Sequence, residues 1–385
     1  MDKIHSSMVD YKRPTGDVDE IVESGGATDD VLDSKTAIDL VKKIVADSGS
    51  GQAMGVALIT PGGGGGTWAY VDKDGNTVPA PRADHFSTHP VWGGIQDVLV
   101  DGQYMVKIPK FYIRRATIGS GANTGKEAWW ISDQPDDGYA VHPAFKVSGN
   151  EVDRIYVGKY QASMDGSKLG SKPGVLPAVS RTLTQFQTDA SARNVGGVSG
   201  FGLWSVYHWS AIQWLYLVEN ATMDSQTKTG QGRVSAGSAA NVDASDVAQA
   251  TYRGIVGLWG NVSQWMDGLK TSGGSIHLWD RDGNKTWVNT TKRRTATVGT
   301  IYPTTFMAHS AATYDFADVF IGDTGSTSNS NATAPDYQYF NEDQEYCPIV
   351  GGYWNTGANA GLWTVNCDRA ASYSYTSIGA RLAKV

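Results

Sequence analysis

The chain has 385 residues, of which 40% are hydrophobic and only 18% charged, with a formal net charge of −7. That length accommodates two or more domains, or one large domain with an appendage, while the acidic balance argues against a nucleic-acid partner, which needs a basic patch. No run of about 18 apolar residues is present, so no membrane insertion is expected, and 46 glycines with 13 tryptophans argue against a helical bundle and for a loop-rich domain with large aromatics in its core.

The N-terminal MDKIHSSMVDYKRP lacks the apolar centre of a signal peptide, so export by that route is not expected. Thr28 to Val45 carries one helical stretch, with Ser34 as a candidate cap and Ala37, Ile38, Val41 and Ile44 at helical spacing. The stretch is too short and polar-flanked to build a core. Gly49–Gly51 and Gly62–Gly66 read as linkers or turns. Next, TWAYVDKDGNTVPAP predicts a hairpin around Asp74-Gly75. The same D-x-D-G-N wording returns at Asp280–Asn284, followed by Trp287-Val288. Both runs open like calcium loops but lack the distal glutamate, so hairpin turns are expected.

MVKIPKFYIRRA, from Met105, and HPAFKVSGNEVDRIYVGKYQAS, at 142–163, are dense alternating strand segments. A helix is predicted from Ser180 to Gln187, with Ser180 as its cap. A stronger one runs from Ser205 to Asn220, with Val206, Trp209, Ile212, Gln213, Tyr216 and Leu217 on one face. His208 on that helix reads as a hydrogen-bonded interior or edge residue. Lys292-Arg293-Arg294 reads as a solvated strand end, and residues 322–345 as an exposed insertion loop.

No catalytic residue is assigned. Seven histidines are scattered, and only His85 and His89 share an i, i+4 spacing, with Pro90 breaking any helix there. No G-x-S-x-G or strand-linked G-x-G-x-x-G is present, and Gly62–Gly66 lacks the Lys-Ser/Thr of a phosphate loop. No metal or cofactor is expected. Cys347 and Cys367 can pair, but two thiols make no disulfide framework. Cys367 is expected as a buried structural thiol, and the acidic run Asn341–Glu345 disfavours a thiolate at Cys347.

The last 35 residues interleave two kinds of position. Gly351, Gly352, Trp354, Gly357, Ala360, Gly361, Leu362, Val365, Ala370, Ile378, Gly379 and Leu382 look like scaffold. Between them sit Tyr353, Asn355, Thr356, Thr364, Asn366, Asp368, Arg369, Tyr373, Tyr375, Thr376 and Ser377. The second set uses the residue vocabulary of antibody-like contact surfaces. A Gly/Tyr/Ser-rich terminal loop and strand also produces such a composition. Trp363 suits either a core plug or a binding anchor, with the core favoured, and Arg381 is expected to tie down the chain end.

Each residue of the second set is Asn, or is reached from an AAC or AAT codon by changing adenines alone. The pattern GG-x-W-x-x-G-x-x-A-G followed by x-G-x-R, carried here by Gly351, Gly352, Trp354, Gly357, Ala360, Gly361, Gly379 and Arg381, resembles the tails of diversity-generating retroelement variable proteins. In that family adenines of a template repeat are randomised and written into the gene's 3′ end. MVKIPKFY, HPAF and YVGKY resemble a domain of phage tail-fibre and tail-tip proteins. Gly260, Asn261, Val262 and Trp265 resemble the G-N-V-x-E-W element of the formylglycine-generating-enzyme and C-type-lectin-like superfamily, with Gln264 in place of the glutamate.

These resemblances imply an α+β, loop-rich, C-type-lectin-like ligand-binding domain over 85–385, with a variable region at 351–385. Residues 1–84 would be an attachment or oligomerisation segment. The eleven interleaved residues would contact a bacterial surface receptor, protein or glycan, from a virion tail fibre or tail tip, or else from a bacterial cell surface. A homo-oligomer, with a trimer as the expected form, follows by analogy with such fibres. Two rivals stand. A fixed-specificity adhesin of the same fold needs no adenine pattern. A formylglycine-generating-type enzyme needs a closely spaced reactive cysteine pair, which Cys347 and Cys367 do not supply, so no enzyme is expected. The Glu-Pro-Asn triplet of calcium-dependent sugar binding is absent.

Overall fold

The computed structural model describes residues 53–82, 84–295 and 299–385. The helical stretch expected at Thr28–Val45 lies outside them. A compact unit begins at Ala53. Its fold is mixed α+β, with strand exceeding helix and many connecting loops.

The first strand, Met54–Thr60, pairs on one side with Thr67–Val71 and on the other with Glu127–Ser132. These belong to a five-stranded sheet completed by Tyr112–Thr117 and Ala140–Val141. A sheet therefore crosses the expected 84/85 division. Trp129 and Trp130 occupy adjacent positions of one strand and are both fully buried, because that strand is covered on both faces.

A second five-stranded sheet is ordered Phe201–Leu203, Leu382–Lys384, Arg154–Gly158, Gln103–Pro109, Gln96–Val100. The MVKIP and YVG segments meet here as antiparallel neighbours, Ile155 opposite Ile108 and Val157 opposite Val106, all four fully buried. The third sheet has seven strands: Gly325–Ser326, Gly299–Pro303, Gln338–Phe340, Val365–Arg369, Cys347–Val350, Ser263–Trp265 and Ile378–Ala380. The tail thus supplies strands to two sheets.

Both D-x-D-G-N runs form the same turn. Asp72 accepts from the amides of Asp74 and Asn76, and Asp280 from those of Asp282, Asn284 and Thr286. The second turn joins Ser275–Trp279 to Trp287–Asn289. The first is closed by a single bridge, Val71 with Thr77, rather than by a full second strand.

The long helix spans Val206–Asn220 and starts with a reciprocal cap between Ser205 and His208. Every residue from Val206 to Val218 is buried. The expected apolar face is only part of what the helix hides, as befits a helix hydrophobic all round. The shorter helix is Leu183–Ser191, capped by Thr182 and not Ser180. Ser180 has φ 57°, outside the extended conformation an N-cap needs.

Two expectations of exposure are corrected. In 322–345, Thr333, Asp336 and Gln338 are buried. The segment reads as polar loop, yet Gln338 lies in the seven-stranded sheet, donating to the carbonyls of Phe320 and Trp363 and accepting from Gly322 N. Arg294 is likewise buried, its guanidinium 4.6 Å from the Phe340 ring centroid. Burial lowers its pKa to about 10, against the pull of Glu342.

Candidate functional site

The tail leaves the strand Cys347–Val350, makes a loop over 351–364, returns as the strand Val365–Arg369, loops again over 370–377, and ends in two short strands. In the strand Val365–Arg369, Val365 and Cys367 face the core while Asn366 and Asp368 are half-buried on the other face, as strand alternation requires. Cys367 Sγ donates to Tyr346 O at 3.3 Å. Both thiols are free. Burial pushes the Cys347 thiol up to about 11 and the Cys367 thiol higher still.

The loop 351–364 is held from beneath by residues outside the tail. Gln226 Nε2 donates to Gly357 O and Ala360 O, and Gln213 Nε2 to Leu362 O. The Asp336 carboxylate accepts from Trp363 N at 2.9 Å, and Ser225 Oγ accepts from Leu362 N. Burial raises the Asp336 carboxyl well above its usual range. Inside the loop, Thr356 Oγ1 accepts from Tyr353 N, and Thr364 Oγ1 donates to Asn359 O. Tyr302 Oη donates to Asn359 Oδ1 at 2.8 Å. The second loop is tied by Ser180 N to Tyr375 O and by Leu183 N to Ala371 O.

Arg381 fastens the chain end as expected. It is fully buried and donates to Gln264 Oε1 and to the carbonyls of Gly158, Lys159, Val256 and Gly257, at 2.7–3.2 Å. Burial lowers its pKa to about 9, so it stays charged at neutral pH. Gln264 accepts from Arg381 while donating to Gly257 O and Leu258 O. A glutamate there would have no donor for those carbonyls.

Above this frame the two loops and the strand Val365–Arg369 enclose a cavity of about 420 Å³. Nine of the eleven interleaved residues line it. Asp368 and Thr376 stand outside: Asp368 pairs with Arg369 at 2.8 Å, and Thr376 is exposed on the second loop. Tyr353 is half-buried, and Asn355, Tyr373 and Tyr375 are exposed. Thr356, Asn366 and Arg369 are intermediate. Thr364 and Ser377 line the cavity while almost wholly buried, so they are less displayed than the sequence suggests. The rings of Tyr373 and Tyr375 lie nearly parallel, 6.2 Å apart, with the Arg369 guanidinium 5.0 Å from the Tyr373 centroid. The arrangement offers aromatic faces, amide and hydroxyl groups and one cation to a ligand.

Of the scaffold positions, Gly351, Gly352, Ala360, Gly361, Leu362, Val365, Ile378, Gly379 and Leu382 are buried. Trp354 is only half-buried and Ala370 is exposed, contrary to expectation. Trp363 is fully buried. The cavity also contains residues the sequence reading missed. Asn359 is an asparagine of the same tail, so its residue type was a usable signal. Tyr337 and Ser263 come from other strands and loops, and only the fold brings them in.

No family model matches the chain, and no curated protein matches it at a significant level. Among solved structures it is similar to Treponema denticola variable protein 1, with 12% identity and a TM-score of 0.35, over 75% of this chain and 98% of that one. It is also similar to the Major Tropism Determinant U1 variant, with 12% identity and a TM-score of 0.24, over 83% of this chain and 92% of that one. The tail itself resembles those of diversity-generating retroelement variable proteins.

Proposed function

We propose that the chain is a receptor-binding protein whose C-terminal tail presents a diversified surface on a fixed, C-type-lectin-like scaffold. One observation carries the reading: nine of the eleven interleaved contact-type residues of the tail line a single cavity. Most of the apolar and glycine positions between them are buried. Replaceable contacts and fixed framework are thereby separated along one short stretch of chain. Substituting exposed rim residues changes stability little, typically within about 0.5 kcal/mol, so the rim can vary while the fold persists.

Recognition here is non-covalent. Burial keeps both thiols protonated at neutral pH, which weighs against thiol catalysis. The ligand proposed is a bacterial surface receptor, and the setting a phage tail fibre or tail tip, on the strength of the MVKIPKFY, HPAF and YVGKY resemblance. Several copies on one fibre would raise a weak single-site affinity through multivalency.

Sequencing a few kilobases around the gene tests the reading. It expects a near-copy of the final ~100 nucleotides, differing only where the copy has adenine, with the differences in codons of the cavity residues, as a diversified contact surface requires. A locus with no such copy and no reverse transcriptase gene would sink diversification and leave a fixed-specificity adhesin.

A further inference from the structure

The wall of the tail cavity suits a narrower class of ligand than receptor binding alone requires. Its volume of about 420 Å³ is within the range of small-molecule sites. Among the described residues, no aspartate, glutamate, lysine or histidine lines it, and Arg369 is its one charged side chain. Arg369 Nη1 already pairs with Asp368 Oδ2 at 2.8 Å. The wall therefore offers an ionic ligand no unanswered charge.

The surface it displays is equally selective. Apart from tyrosine rings, the apolar part of the wall is Ile349 and Ile378, 8% and 3% exposed, with Gly352. That leaves no deep apolar socket for the large anchor side chain on which protein partners depend. What remains on show is amide, hydroxyl and ring: Asn355, Tyr373 and Tyr375 are exposed, and Tyr353, Thr356 and Asn366 are half-buried. Hydrogen bonds within the tail and from Tyr302 hold Thr356, Thr364 and Asn359 in place, so the wall is formed before a ligand arrives.

The tyrosine pair supplies a flat face. The planes of Tyr373 and Tyr375 differ by 18°, with centroids 6.2 Å apart. Rings so nearly parallel at that separation are displaced sideways, and together they present a wider flat surface than one ring. The Arg369 guanidinium, 5.0 Å from the Tyr373 centroid, steadies that ring.

A pyranose has the matching chemistry, with C–H groups over a flat face and uncharged hydroxyls around its edge. We propose that the cavity, with the tail carried here, receives a sugar ring of a neutral bacterial surface glycan. The ring's flat face lies on Tyr373 and Tyr375, and its hydroxyls meet Asn355, Asn366 and Tyr353. This assignment rests on the receptor-binding reading and narrows it from any surface receptor to a neutral glycan.

The test applies the full chain to a printed array of neutral and acidic bacterial surface oligosaccharides. In parallel it is applied to whole bacteria of several species, either intact, oxidised with periodate to destroy vicinal diols, or stripped of surface protein with protease. The expected result is retention on neutral members of the array, with cell binding that periodate abolishes and protease spares. Tyr375→Ala should bind about tenfold more weakly, and Tyr375→Phe, which keeps the ring, should bind nearly like the parent. Retention on acidic oligosaccharides alone, or undiminished binding by Tyr375→Ala, overturns the proposal. Cell binding that protease abolishes and periodate spares also overturns it, and leaves the receptor-binding reading standing with a protein receptor. Binding to neither array nor cells overturns both.

Discussion

Gly361→Ala tests whether the tail's fixed positions are fixed for the reason the structure gives. Gly361 has φ +157°, a conformation L residues rarely adopt, and a Cβ there would lie 2.0–2.2 Å from the carboxylate atoms of Asp336. Contacts under 3.0 Å do not occur for real Cβ atoms, so the carboxylate must move. Asp336 is 2% exposed and cannot swing into solvent. Moving it strips Trp363 N of its acceptor and disturbs Ser225, which in turn accepts from Leu362 N. Backbone strain contributes about 1–3 kcal/mol, and the orphaned buried amide about 1–3 kcal/mol more. The expected loss is therefore about 2–6 kcal/mol, read as ΔG from urea unfolding at constant m-value. Gly357→Ala is the internal control. It has φ +63° but no atom within 4 Å of the added Cβ, so only the conformational cost of about 1 kcal/mol applies. If Gly361→Ala loses no more than Gly357→Ala, the close approach to Asp336 is not what excludes a side chain.

Asp336→Asn should change how stability responds to pH. Burial raises the Asp336 carboxyl well above its usual range, so its contribution is full below about pH 4, the unfolded pKa, and is lost as pH rises toward the folded one. The variant lacks that loss, so its Tm relative to the parent should be more favourable at pH 8 than at pH 5; an equal difference at both pH values would contradict the shift. Arg381→Met leaves the carbonyls of Gly158, Val256 and Gly257 without this donor and should cost about 3–5 kcal/mol in urea unfolding; a loss under about 1 kcal/mol would show that the clamp is dispensable. Tyr373→Ala and Tyr375→Ala remove exposed stacked rings and should each leave stability within about 0.5 kcal/mol. A larger loss would make the pair framework rather than contact surface.

Legibility followed the reach of each signal. The strand and helix signals around MVKIP, YVG and Ser205–Asn220 are local, and they found their elements. The tail was legible for a different reason: one strand, Val365–Arg369, alternates inward and outward, so residue type tracks orientation. The misses share a cause. Arg294 and Gln338 are polar residues whose side-chain partners are distant in sequence, Arg294 Nη2 donating to Phe340 O and Gln338 Nε2 to Phe320 O and Trp363 O, and no local pattern announces a buried polar group. Thr364 and Ser377 read as display residues because their side chains are polar, but their neighbours in space bury them. Tyr337 and Ser263 joined the cavity only through sheet pairing, Ser263–Trp265 lying beside Ile378–Ala380.

The central claim is that the tail cavity's rim is a replaceable recognition surface. A display library tests it most directly, with the codons of the seven cavity-lining residues that are not buried, Tyr353, Asn355, Thr356, Asn366, Arg369, Tyr373 and Tyr375, randomised to adenine-reachable residues and selected on whole cells of several bacterial species. The account predicts that most clones remain folded and protease-resistant, and that clones recovered from different cells carry different rim sequences. Recovery indifferent to the rim sequence, or a library mostly unfolded by rim substitution, would contradict it.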